Sequence, residues 1–91
     1  MTAKIEFTAV FHDDLKRLKK EDKKLLIKLL ELIADTSSNP FDGLGQPEQL
    51  KHNFSGMWSR RISQKHRLTY KFDEEKEIIY LPSCYGHYND K

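Results

Sequence analysis

The chain has 91 residues, 37% apolar and 33% charged, which suits one compact domain spanning 1–91 and leaves no room for a second. Sixteen basic against fourteen acidic residues give a net charge of +2, too small to attract a polyanion in bulk, so any such partner has to be met by a local patch. The single cysteine, Cys84, excludes an internal disulfide and fits a reducing compartment; no stretch approaches the ~20 apolar residues of a membrane span, and MTAKIEFTAV lacks a signal peptide's apolar run, so a soluble, cytoplasmic protein is expected.

Ala3 to Phe7 alternates weakly, with Ile5 and Phe7 on one side, and predicts a short strand. Thr8 reads as an N-cap. From Ala9 to Lys20, Phe11, Leu15 and Leu18 fall on one helical face, while Asp13 and Asp14 near the start and Lys19 and Lys20 near the end suit the helix dipole. Glu21 or Asp22 caps a second predicted helix, which runs through Asp35 and carries the broader stripe Leu25, Leu26, Leu29, Leu30, Leu32 and Ile33. That width supports either homodimerisation or a role confined to the core.

Ser37 to Pro47, SSNPFDGLGQP, concentrates helix breakers and predicts a loop. The period then changes to two. Glu48–His52, Met57–Ser63, His66–Phe72 and Ile78–Cys84 read as four strands, with turns at Phe54–Gly56 and Asp73–Glu77. The order predicts an α+β fold: an N-terminal strand, two helices, then a C-terminal antiparallel run, with the helices packed on one face of a twisted sheet.

Charge is unevenly spread over this pattern. NFSGMWSRRISQKHRLTYKF, Asn53 to Phe72, holds five Arg and Lys residues and no Asp or Glu. Alternation puts Trp58, Arg60 and Ile62 on one face of their strand, and Leu68, Tyr70 and Phe72 on one face of the next. An odd-length loop between the two keeps apolar opposite apolar and is predicted to pair Ile62 with Leu68 and Arg61 with Thr69. Arg61, Arg67 and Lys71 then emerge together on the face away from the helices, and Arg60 is left on the core side, where it has to be paired or to snorkel.

Cleaving RNA without a metal takes a base for the ribose 2′-OH, cations for the pentacoordinate phosphorus and an acid for the departing 5′-oxygen. A carboxylate, an arginine and a histidine serve. Taken singly, Glu48 is an ordinary surface carboxylate, Arg67 a solvated strand residue and His87 part of a tail. No spacing among His12, His52, His66, His87 and Cys84 fits a metal site, and Gly43–Gly45 is a turn and not a phosphate loop.

Taken together and in order, NPFDGLGQPEQLKHNFSGMWSRRISQKHRLTY and IIYLPSCYGHY resemble the YoeB/Txe family of RelE-superfamily bacterial toxins, over Asn39 to Tyr88. The resemblance implies a RelE-like microbial RNase fold and a toxin of a type II toxin-antitoxin system that cuts mRNA in the A site of the 70S ribosome. It also implies restraint by a cognate antitoxin of the YefM/Phd-like kind, and no cofactor. Carried over residue by residue, it makes Glu48 the general base, Arg67 the phosphate-stabilising arginine and His87 the general acid, with Tyr88 completing the site. Lys51 and Arg61 fall on positions that hold RNA, Lys71 joins them on the cationic face, and His52 and His66 have structural or RNA-contacting roles. Asn89, Asp90 and Lys91 extend past the usual terminal His-Tyr pair. The competing readings are a RelE-superfamily toxin that binds a macromolecular target without catalysis, and a plain RNA-binding module.

Overall fold

The computed structural model describes residues 3–51 and 56–86. Strand β1 (Lys4–Phe7) leads into helices α1 (Ala9–Glu21) and α2 (Lys23–Ser38), and strands β2 (Glu48–Gln49), β3 (Trp58–Arg61), β4 (Arg67–Asp73) and β5 (Ile78–Ser83) follow. The sheet order is β1-β5-β4-β3-β2. The last four strands are antiparallel neighbours, as predicted, but β1 lies parallel to β5, so the sheet is mixed.

Both helices start where a side chain can satisfy a free N–H. Thr8 Oγ1 accepts from Phe11 N at 3.0 Å and donates to Pro82 O at 3.0 Å, which ties the start of α1 to β5. Asp22, of the two candidates, caps α2 by accepting from Lys24 N at 2.9 Å. That helix runs three residues past its predicted end. Its Thr36 and Ser37 hydroxyls bond back to Leu32 O and Ala34 O at 2.7 and 3.1 Å, so these turn-forming residues are absorbed into the helix. Asp14 also departs from expectation. It lies beyond the first turn, is buried, and accepts Cys84 N–H at 3.0 Å, joining α1 to the end of β5 where a dipole partner was predicted.

The core lies between the helix pair and one face of the sheet. Phe11 and Leu18 of α1 and Leu29 and Leu32 of α2 meet Leu68, Tyr70, Ile79 and Leu81, all nearly inaccessible to solvent. Each such burial is worth about 1.5–3 kcal/mol. Among the described residues no helix is long and apolar enough to cross a membrane.

The β3–β4 hairpin keeps the predicted faces with a different register. Trp58 pairs with Tyr70, Arg60 with Leu68 and Arg61 with Arg67, two residues away from the pairing expected. The loop is odd, as the alternation demanded, but has five residues, Ile62 to His66. Ile62 N and Ser63 N both donate to His66 O, at 3.0 and 3.2 Å, and Ser63 Oγ accepts from Lys65 N and His66 N. This closed turn withdraws Ile62 and His66 from the ladder, and a shift of two leaves every side chain on its original face.

Candidate active site

The strand register assembles the open face of the sheet. Glu48 stands opposite Ser59, Ser59 opposite Thr69, and Thr69 opposite Ser83, a row across four strands on the side away from the helices. One step along the strands, Arg61 faces Arg67; Lys71 lies two residues from Thr69 in the other direction. Glu48, Arg61, Arg67 and Lys71 therefore share one face. With strands ~4.8 Å apart and ~3.4 Å per residue, the Glu48 and Arg67 backbones are roughly 12 Å apart, the scale of a dinucleotide. Glu48, Arg61 and Lys71 are exposed, and Arg67 is partly so.

Glu48 is delivered by the loop that precedes it, and that loop is wrapped around one buried cation. Arg60 is fully buried, with all five guanidinium N–H groups engaged. Nε donates to Tyr70 Oη at 3.2 Å. Nη1 donates to Asp35 Oδ2 at 2.6 Å and Leu44 O at 3.2 Å, and Nη2 to Asp42 O at 2.9 Å and to Asn39 O. Tyr70 in turn donates to Pro40 O at 2.8 Å. The Leu44 N–H and then the Arg60 guanidinium hold the Asp35 carboxyl below its ordinary pKa. Gly43 and Gly45 have φ of 114° and 78°, and a Cβ on Gly45 would sit 2.8 Å from Leu32 Cδ2. Gly45 O accepts from Arg61 N at 2.7 Å, so the loop joins the edge of β3 just before Glu48. This supporting role went unread in the sequence. The signal was there in a single arginine on the core-facing side of a strand, sharing that face with a tyrosine.

Arg67 is held by its own hairpin. Its Nη1 donates to the carbonyls of Ser63, His66 and Gln64 at 2.6, 3.1 and 3.3 Å, which orients the guanidinium at the end of the open face. Its backbone N donates to Gly86 O at 3.1 Å, so the chain arrives beside Arg67 one residue before position 87. His87 and Tyr88 lie outside the described residues, as does His52. Lys51 is exposed, three residues beyond Glu48.

Of the two roles open to His66, its surroundings support the structural one. The residue is fully buried; its Nδ1 accepts from Gly86 N at 2.8 Å and its Nε2 lies 3.0 Å from Glu21 Oε2, so both ring nitrogens are committed inside the protein. Tyr70 is buried on the core side, and Trp58, partly buried, packs against the edge of the core and against Phe41, with ring centroids 5.0 Å apart. Burial, then the Asp14 carboxylate, pushes the Cys84 thiol up to about 12, the state of an inert packed cysteine. Among the described residues no group of three or more His, Cys, Asp or Glu side chains is arranged to hold a metal.

Residues 7–88 match the family described as the YoeB-like toxin of bacterial type II toxin-antitoxin system. The chain is 46% identical over 76 residues to Toxin YoeB of Escherichia coli strain K12, covering 84% of this chain and 88% of that protein. Its fold superposes on the YoeB dimer structure from Staphylococcus aureus with a TM-score of 0.84 at 37% identity, covering 97% of this chain and 100% of that one. A heterotetrameric YoeB-YefM toxin-antitoxin complex from the same organism gives 0.82 at 37% identity, again over 97% and 100%.

The matched span includes every strand that builds the open face, and the class it defines is the toxin component of a bacterial type II toxin-antitoxin system. Within that class, the chain belongs to the YoeB-like toxin family.

Proposed function

We propose that the open face of the sheet is the active site of an endoribonuclease, which cleaves mRNA by making the RNA supply its own nucleophile. Glu48 removes the proton of a ribose 2′-OH, and that oxygen attacks the adjacent phosphorus. Arg67, with Arg61 and Lys51, stabilises the charge gathered on the phosphoryl oxygens, and His87 gives a proton to the departing 5′-oxygen, Tyr88 completing the catalytic set. The P–O5′ bond breaks as the P–O2′ bond forms, leaving a 2′,3′-cyclic phosphate and a 5′-OH. Each proton transfer is assigned to a side chain of this chain, so the scheme needs no metal.

The observation that carries this reading is the register that sets Glu48 on one face with Arg61 and Arg67. A surface serving only to grip phosphates gains nothing from a carboxylate beside its cations, since the carboxylate repels the ligand. As a base, the same carboxylate has a task. This favours the enzyme over the RNA-binding module and over a toxin acting by binding alone. The biological setting follows the family: mRNA in the ribosomal A site as substrate, and an antitoxin of the YefM kind, as bound by the Staphylococcus aureus relative, laying an acidic segment over the cationic face. A second copy is a further partner, since that relative is also found as a dimer.

Incubating the purified protein with mRNA-programmed ribosomes in excess chelator, and analysing the fragment ends, tests the scheme. Cyclic phosphate and 5′-OH ends are expected, and loss of cleavage in His87→Gln; 5′-phosphate ends, or cleavage that persists in that variant, would overturn it.

A further inference from the structure

The segment approaching position 87 is gripped from two sides. Gly86 N donates to His66 Nδ1 at 2.8 Å, and Gly86 O accepts from Arg67 N at 3.1 Å, so both backbone groups of one residue are fixed. Because Nδ1 accepts a hydrogen bond, the ring's proton resides on Nε2, where it is donated to Glu21 Oε2 at 3.0 Å. The other Glu21 oxygen accepts from Tyr85 Oη at 2.8 Å. The Tyr85 ring lies 4.3 Å from that of His66 and carries the Arg17 guanidinium 3.8 Å from its centroid. One carboxylate at the end of α1 thus holds the tyrosine one residue before Gly86 and the tautomer of the histidine that binds Gly86.

A buried imidazole is a costly way to fill space, since an apolar side chain would pack there with no polar atom to satisfy. What the imidazole supplies is directional: a fixed lone pair aimed at one backbone N–H. We propose that His66 is a positioning residue, which with Glu21 anchors Gly86 and so sets where the chain enters position 87. This rests on the reading of His87 as the general acid, for an acid displaced by about 1 Å loses rate by about 10²-fold while substrate binding is spared.

Two substitutions separate the parts of the device. The amide of His66→Asn can present an acceptor near the Nδ1 position, whereas that of His66→Gln reaches toward Glu21 and leaves Gly86 N–H without its partner. With the full-length protein on mRNA-programmed ribosomes, His66→Gln is expected to lower kcat by about 10- to 100-fold with KM nearly unchanged. His66→Asn should recover much of the loss, and Gly86 amide exchange should be at least about tenfold faster in the Gln variant than in the wild type. Glu21→Ala, a change at an exposed helix end, provides a variant expected to fold in any event and to shift kcat and Gly86 exchange in the same direction. Unchanged Gly86 exchange and kcat in His66→Gln, or in Glu21→Ala should the former not fold, would overturn the proposal. If the wild type cuts no RNA the nuclease reading falls, and Gly86 exchange still decides whether His66 anchors the tail.

Discussion

Arg60 and Asp35 meet at 2.6 Å beneath the loop that delivers Glu48, and neither is itself on the open face. Their pairing converts NPFDGLGQP from a flexible connection into a shaped one, because the same guanidinium also binds the carbonyls of Asn39, Asp42 and Leu44. Arg60→Met removes five hydrogen bonds and leaves partly buried acceptors unmet. The expected cost is about 1–3 kcal/mol, read as a lower urea midpoint. The double variant Arg60→Met, Asp35→Leu should lose less than the sum of the two singles, because no charge is then left unpaired.

Glycines at similar φ should differ in cost. Gly45 and Gly86 have φ of 78° and 75°, so alanine at either meets about 1–2 kcal/mol of left-handed strain. At Gly45 the new Cβ also presses on Leu32 and lies 3.1 Å from Arg61 O, whereas at Gly86 nothing described lies within 4 Å. Gly45→Ala should therefore lower the thermal midpoint clearly more than Gly86→Ala. It should also reduce RNA cleavage, since the loop sets the entry to Glu48.

Acid should weaken the fold in part through two carboxylates. Glu21 titrates below its ordinary value because of hydrogen bonds from His66 and then Tyr85, and Asp35 because of Leu44 N–H and Arg60. A depressed native pKa means that the unfolded chain binds the proton more readily. The stabilisation is thus complete above the ordinary carboxylate range, near about pH 4, and is lost as pH falls through the lowered native values. Urea midpoints measured downward from about pH 6 should fall off on this acid limb, and Asp35→Asn should flatten it.

Cys84 should resist alkylation. With its thiol pushed up to about 12 and its side chain buried, iodoacetamide at pH 8 is expected to label the native protein far more slowly than the urea-unfolded chain. Equal rates would contradict the burial. Cys84→Ser should leave RNA cleavage intact.

What the sequence made legible follows from local chemistry. Alternation in β3 and β4, with the odd loop, was enough to put Arg61, Arg67 and Lys71 on one face and Arg60 on the other, because a period of two survives any even shift of register. The shift itself was hidden, since it depends on Ser63 and the His66 carbonyl closing a five-residue turn. The parallel placement of β1 beside β5 was also out of reach: it joins the first strand in the chain to the last, and no local pattern in Lys4–Phe7 encodes its partner. His66 was left between a structural and an RNA-contacting role for a related reason. A histidine in a basic stretch looks like a ligand contact until Glu21 and Gly86, distant in the chain, are seen to occupy both nitrogens. Asp14 likewise passed for a dipole partner because its acceptor role depends on Cys84, seventy positions away.

The most direct test of the central claim is the effect of Glu48→Gln on cleavage and on RNA affinity, measured together. A general base on a cationic face predicts that the substitution lowers the single-turnover cleavage rate by about 10²–10⁴-fold, while RNA binds as tightly as before or tighter because a repelling charge is gone. A variant that cuts at the wild-type rate, or that loses cleavage only in proportion to lost binding, would contradict it.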